Sequence, residues 1–78
     1  MKLSIVSPEG TLYEGEVKSV KMQGIDGKFQ VLNDHAPLIS ALSKGDIVIE
    51  EISGEKKFFA INSGLVELAK NEIHILAQ

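Results

Sequence analysis

Seventy-eight residues allow one small domain, and a domain of this size buries only about 60% of the surface its unfolded chain exposes, so partners or staples help it. The chain has no cysteine, which excludes disulfides and thiolate zinc sites as those staples. A formal net charge of −3, with one Tyr, three Phe and no Trp, argues against a nucleic-acid surface, and no apolar run approaches the ~20 residues of a membrane span.

Taken in chain order, the segment opening at Met1-Lys2-Leu3-Ser4-Ile5-Val6 is too short and too quickly polar for a signal peptide. Lys2 to Ser7 places Leu3 and Ile5 on one face of a strand, which the turn Pro8-Glu9-Gly10 ends. The apolar positions then change phase. Val17 is odd-numbered, whereas Val20 and Met22 are even, so strict alternation fails near Lys18-Ser19. A β-bulge there, bending a long strand from one sheet into a second, restores the pattern. Gly24 to Gly27 reads as a turn, Phe29, Val31 and Leu32 as the strand after it, and Asn33-Asp34 as the next reversal. Ala36 to Leu42 has room for two helical turns, but Ala36-Pro37 and Ser43-Lys44-Gly45 bound it and it is read as a strand. Segments 46–52 and 57–62 are apolar on both faces (Ile47, Val48, Ile49; Phe58, Phe59, Ala60, Ile61), with Ser53-Gly54 as the turn between them. Such strands need a second sheet on one face and a loop or a partner on the other. After Lys70-Asn71, Ile73 and Ile75 share a face opposite His74 and Leu76. The spacing predicts an all-β fold, a small two-layer β-sandwich of roughly 8–10 short strands filling residues 1–78 as one domain.

The polar motifs offer little chemistry. His35 follows Asp34, but adjacent side chains of an extended chain point to opposite faces, so the pair reads as the end of a turn and not as an acid–base dyad. The two histidines, at 35 and 74, lack a third metal ligand nearby. Gly24-Ile25-Asp26-Gly27 lacks the Gly-Lys-Ser/Thr ending and the following helix of a phosphate loop, and its glycines are expected to supply positive φ. Catalytic, metal and cofactor-binding residues are therefore expected to be absent.

Two resemblances remain. Val20-Lys21-Met22 resembles the methionine-flanked lysine of biotin-carrier domains, which are also all-β and about this long, and Lys21 is the residue a biotinyl-type carrier would modify. The second covers essentially the whole chain. Gly24-x-x-Gly27-x-Phe29-x-Val31-Leu32-x-x-His35-Ala36-Pro37-Leu38 closely resembles the epsilon-subunit family of the F-type ATP synthases, called delta in mitochondria. Leu3 to Pro8 is similar to that family's first strand with its "V-(S/T)-P" end, Leu12 to Val20 to its long second strand, and Ala41-Leu42-x-x-Gly45 to its "A-L-x-x-G" turn. Ser63-Gly64-Leu65-Val66-Glu67-Leu68 matches "G-G-F-x-E-V", and Asn71 to Ala77 the closing strand. Gln30, Asn33-Asp34 and Ser63 stand where the family usually has Gly, Pro-Gly and Gly.

The resemblance implies a non-catalytic rotor subunit of the central stalk, coupling the c-ring to the gamma subunit in proton- or sodium-driven ATP synthesis. It implies gamma contacts at Ser7, His35 and Ser40, and contacts to the polar loops of the c-ring at Ile25, Asp26, Gly27 and Lys28, the last where the family often has an acid. It implies no cofactor, no nucleic acid, no direct membrane insertion, and a place on the cytoplasmic face of the bacterial inner membrane. Typical members continue into a two-helix domain that can block ATP hydrolysis. The match ends with the sandwich at Gln78, so this domain is expected to be absent.

Overall fold

Tight reversals divide the chain into eight strands: β1 (Lys2–Ser7), β2 (Gly10–Gly24), β3 (Gly27–Leu32), β4 (Leu38–Leu42), β5 (Gly45–Glu51), β6 (Lys56–Ile61), β7 (Gly64–Ala69) and β8 (Glu72–Ala77). The computed structural model describes residues 1–78. Turn chemistry accounts for several reversals. Lys70 and Asn71 both sit at positive φ (52° and 62°), the geometry of a two-residue hairpin whose twist matches its flanking strands, and asparagine tolerates it well. Asp34 adopts φ 62° in the reversal between β3 and β4.

The 15-residue β2 organises the architecture. Its first half, Gly10 to Glu16, pairs antiparallel with β1, and its second half pairs with β5 and β3. At the change of partner, Val17 lies opposite Glu51 and Ser19 opposite Glu50, so Lys18 is the extra residue of a bulge, at the position where the alternation breaks. A second bulge, not signalled by the sequence, lies opposite Ile5 and Val6, whose partners are Tyr13 and Thr11 with Leu12 unpaired. One layer thus runs β4-β7-β8-β1-β2 and the other β3-β2-β5-β6, with β2 common to both. The β1–β8 pairing is parallel and joins strands from the two ends of the chain. The strand reading of the fourth element holds for Leu38–Leu42, which pairs with β7, while Ala36-Pro37 stays in the preceding loop.

Both layers contribute to one core of sixteen buried hydrophobic residues. Leu3, Ile5, Leu42, Val66, Leu68, Ile73, Ile75 and Ala77 face inward from the first layer, Val17, Val20, Met22, Val31, Ile47, Ile49 and Ile61 from the second, and Met1, just before β1, is the sixteenth. Tyr13, Phe29, Leu38 and Phe59 pack at its margins. In the two-sided apolar segments, Ile47, Ile49 and Ile61 enter the core, whereas Val48 and Phe58 pair on the outer face and leave Phe58 64% exposed.

A polar cluster fastens β5 and β6 to β2 near its change of layer. The Tyr13 hydroxyl donates to Glu51 Oε2 at 2.6 Å, and Lys57 Nζ lies 3.5 Å from the same oxygen and 5.7 Å from the Tyr13 ring centroid. Phe59 meets the Tyr13 ring edge-on at 5.8 Å between centroids. Burial and the hydrogen bond to Glu51 push the tyrosine pKa up to about 12, and the Tyr13 hydroxyl, with Lys57 secondary, holds the Glu51 carboxyl below its ordinary value.

Candidate partner-docking surfaces

The β2–β3 hairpin ends on the Gly24–Gly27 pair, leaving Ile25 and Asp26 as its tip. Gly27 supplies positive φ (126°), as expected, and neither tip residue needs it. Gly24 is required for a different reason: a Cβ there would lie 2.9 Å from Phe29 Cε1 and 3.0 Å from Gly27 O. Three contacts fasten the tip to the end of β4. Ile25 N–H donates to Ala41 O (3.2 Å), Ser43 N–H to Gln23 O (2.9 Å), and the Ser43 hydroxyl reaches Gln23 O at 3.4 Å. Ile25 is 64% exposed, and Asp26 and Lys28 project beside it, so the four residues 25–28 form one contiguous tip carrying an apolar group, an acid and a base.

His35 lies at the opposite end of the first layer. Its loop joins β3 to the start of β4, where Leu38 aligns with Leu68, Ile73 and Leu3, whereas the hairpin adjoins the Leu42, Gly64 and Ala77 end. His35 N–H donates to Leu32 O at 3.2 Å, and Nδ1–H donates to Ala36 O at 2.8 Å, so the ring closes a turn instead of pairing with Asp34. The loop is stitched to the β7–β8 turn: Asn71 Nδ2–H donates to Asn33 Oδ1 (2.7 Å), and Asp34 N–H to Asn71 Oδ1 (3.2 Å).

Ser7 and Ser40 do not join His35 in one patch. Ser40 lies opposite Val66 in β7, on the strand face that also carries Leu38 and Leu42, and is half-buried at the sheet edge with its hydroxyl donating to Ala41 O. Ser7 ends β1, where its hydroxyl donates to Gly10 O and accepts from Glu9 N–H, both at 3.2 Å. The trio therefore runs diagonally across the first layer. Lys21 is exposed but sits within β2, paired with Gln30 and Val48 and four residues before Ile25, so it does not occupy the hairpin tip that carrier domains use.

One surface was invisible before the strands were paired. On the outer side of the first layer, Ala41, Leu65, Leu76 and Val6 are consecutive cross-strand neighbours, and Ile39 stands next to Ala41's row. The adjoining row reads Ile39, Glu67, His74, Ser4, Glu14, and the one after it Ala69, Glu72, Lys2, Glu16. These two rows carry four carboxylates against one lysine, with Glu16 also meeting the Met1 amino group at 3.4 Å, so the face is acidic.

A family model described as "ATP synthase, Delta/Epsilon chain, beta-sandwich domain" matches residues 1–78. A curated relative, the "ATP synthase epsilon chain" of Helicobacter pylori (strain Shi470), is 46% identical over 77 residues, covering 99% of this chain and 62% of the relative. The chain thus spans less than two thirds of that relative's length. Among solved structures, a chain of the Euglena gracilis mitochondrial ATP synthase (OSCP/F1/c-ring, rotational state 1) superposes with a TM-score of 0.90 at 18% identity, covering 96% of this chain and 48% of that one. A chain of the Tetrahymena thermophila mitochondrial ATP synthase central stalk and c-ring gives 0.83 at 15% identity, covering 100% of this chain and 63% of that one. At those identities the structural likeness speaks for the fold.

Proposed function

The chain belongs to the delta/epsilon-chain β-sandwich family of ATP synthases, and from that premise we propose that it is a non-catalytic central-stalk subunit that couples the c-ring to the gamma subunit. In this reading the Ile25-Asp26-Gly27-Lys28 tip bears on the polar loops of the ring, and the first layer, including the Ser7, His35 and Ser40 region, bears on gamma. Torque driven by proton or sodium flow passes through the sandwich during ATP synthesis, with the subunit peripheral to the cytoplasmic face of the inner membrane. Residues 1–78 act as one coupling domain, and neither a cofactor nor a nucleotide takes part.

The observation that carries this reading is the fastening of the projecting tip. Backbone and side-chain hydrogen bonds from Ile25 and Ser43 tie it to β4, and β2 runs from it through both layers. A part that transmits force must resist deformation, and 50 backbone–backbone hydrogen bonds in 78 residues around one close-packed core do so. Lys28, where the family often has an acid, calls for an acid on the ring loops, or for compensation by Asp26 beside it.

Co-expression with the gamma subunit and the c-ring of the same organism tests the proposal. A complex retaining all three through purification is expected, with Asp26→Lys/Lys28→Glu weakening retention on the ring while leaving gamma bound. Failure of the chain to stay with either partner overturns the reading.

A further inference from the structure

We infer that the free edge of β6 is a self-association site: two copies of this chain pair antiparallel along residues 56–60, two-fold symmetric about Phe58, and join their second layers into one continuous sheet. The inference stands apart from the rotor reading above, and either can fail alone.

The edge is open. β6 has β5 as its single neighbour, and no turn or loop hydrogen bond reaches its far side. Which backbone groups are free follows from the register. Glu51 N–H donates to Glu55 O at 2.8 Å, so Glu51 and Glu55 form a hydrogen-bonded pair. Such pairs alternate along an antiparallel ladder, which assigns Lys57 to Ile49, Phe59 to Ile47 and Ile61 to Gly45. The N–H and C=O groups of Lys56, Phe58 and Ala60 therefore point away from β5, without a partner. The β4 edge is partly closed by contrast, because Ile25 N–H donates to Ala41 O.

A second copy matches this edge in one register. Set about Phe58, the pairing aligns Lys56 with the partner's Ala60 and Phe58 with its own counterpart, giving about six backbone hydrogen bonds. Phe58 is the one exposed aromatic residue of the chain, and it pairs with Val48 on the outer face. Val48, Phe58 and their two counterparts then form a single row, an apolar centre across the join. Charge agrees with the same register. Ala60 lies opposite Asp46 in its own copy, so the partner's Lys56 enters that row two strands, about 10 Å, from Asp46 and extends over the small Ala60 towards it.

Lysines guard many sheet edges against pairing, and here they exclude the wrong registers. An axis at Lys56 or Lys57 sets a lysine against itself, and an axis at Phe59 or Ala60 forfeits bonds because the strand ends at Ile61. In the favoured register Lys57 faces the inner side, where Glu51 holds it at 3.5 Å. The contact is two-fold and closes on itself, so it makes a dimer and not a fibre. Pairing over five residues buries little surface, and the dimer is accordingly weak and concentration-dependent.

Sedimentation of the full chain from about 10 μM to about 1 mM tests this. The mass is expected to rise from 8.5 kDa towards twice that value. Amide exchange at Phe58 and Ala60 is expected to be fast in dilute protein and to slow tenfold or more as the dimer forms. Ala60→Lys sets a second lysine against the partner's Lys56, and Phe58→Thr removes the aromatic centre while keeping a good strand former. Each is expected to weaken association tenfold or more, whereas Leu76→Ser on the other layer leaves it within twofold. All three side chains are exposed, so thermal unfolding of the dilute variants should match the parent. A chain that stays at 8.5 kDa through the whole range overturns the inference and leaves the rotor reading standing. Association that Ala60→Lys and Phe58→Thr leave intact, or that Leu76→Ser abolishes, overturns the choice of edge.

Discussion

Tyr13 and Glu51 each hold the other in the protonation state that suits the fold. Tyr13 is kept neutral up to about 12, so its contribution is present below its ordinary value of 10.0 and is lost as pH rises from there through about 12. Glu51 is held ionised below its ordinary 4.5, so its contribution is present at neutral pH and is lost as pH falls below that value. Tyr13→Phe removes the 2.6 Å bond without removing the ring that packs on Phe59. Its Tm is expected to be a few degrees below the parent's at pH 7, with the gap closing in acid as Glu51 protonates. A gap that stays constant from pH 7 to pH 3 would mean that the hydroxyl contributes nothing through the carboxylate. Strand parity is testable on neighbouring residues of β8. Ile75 is fully buried, and Ile75→Ala should cost about 2–5 kcal/mol. Leu76 points outward, and Leu76→Ser should change stability by no more than about 0.5 kcal/mol. Chemical denaturation of the pair reads the difference directly.

Among the elements, the turns carry more than reversal. Asn71 holds φ 62° and at the same time bonds Asn33 and Asp34, which positions the loop bearing His35. Asn71→Gly keeps the backbone conformation and loses the stitch, whereas Asn71→Ala loses both and should be the less stable by about 1 kcal/mol in urea denaturation. Equal stabilities would show that the left-handed conformation is not strained for alanine here. Much of this was legible in the sequence. The parity break between Val17 and Val20 located the β2 bulge, Pro37 and Gly45 bounded the fourth strand, and the paired glycines marked the 24–27 hairpin. The Leu12 bulge was not legible, because Leu12 and Tyr13 are both apolar and Gly15 gives no phase. Neither was the Asn33–Asn71 link, which joins residues 38 apart in sequence. The acidic and apolar rows needed the registers of four ladders, including the parallel β1–β8 pairing, before Glu14, Glu67 and Glu72 could be placed on one face. Ser7 and Ser40 came from family likeness alone, and strand parity sets Ser40 with Leu38 and Leu42 at the sheet edge instead of on the outer face.

At the scale of the whole molecule, the design is a stiff body with distinct surfaces. The principal extents of 27 × 24 × 18 Å give a broad face comparable to the roughly 800 Å² that one side of a standard interface buries. The hairpin tip leaves that body at one end, and the charged face occupies one side, so two partners can be held without competing for the same residues. The shared strand β2 links them mechanically: it ends in the hairpin and its first half borders the acidic face through Glu14 and Glu16. The most direct measurement of the proposed coupling role is to add the chain back to an ATP synthase complex stripped of its epsilon subunit. One copy per complex should be recovered together with gamma and the c-ring, and ion-driven ATP synthesis should return. A complex that excludes the chain, or that takes it up and stays uncoupled, would contradict the account.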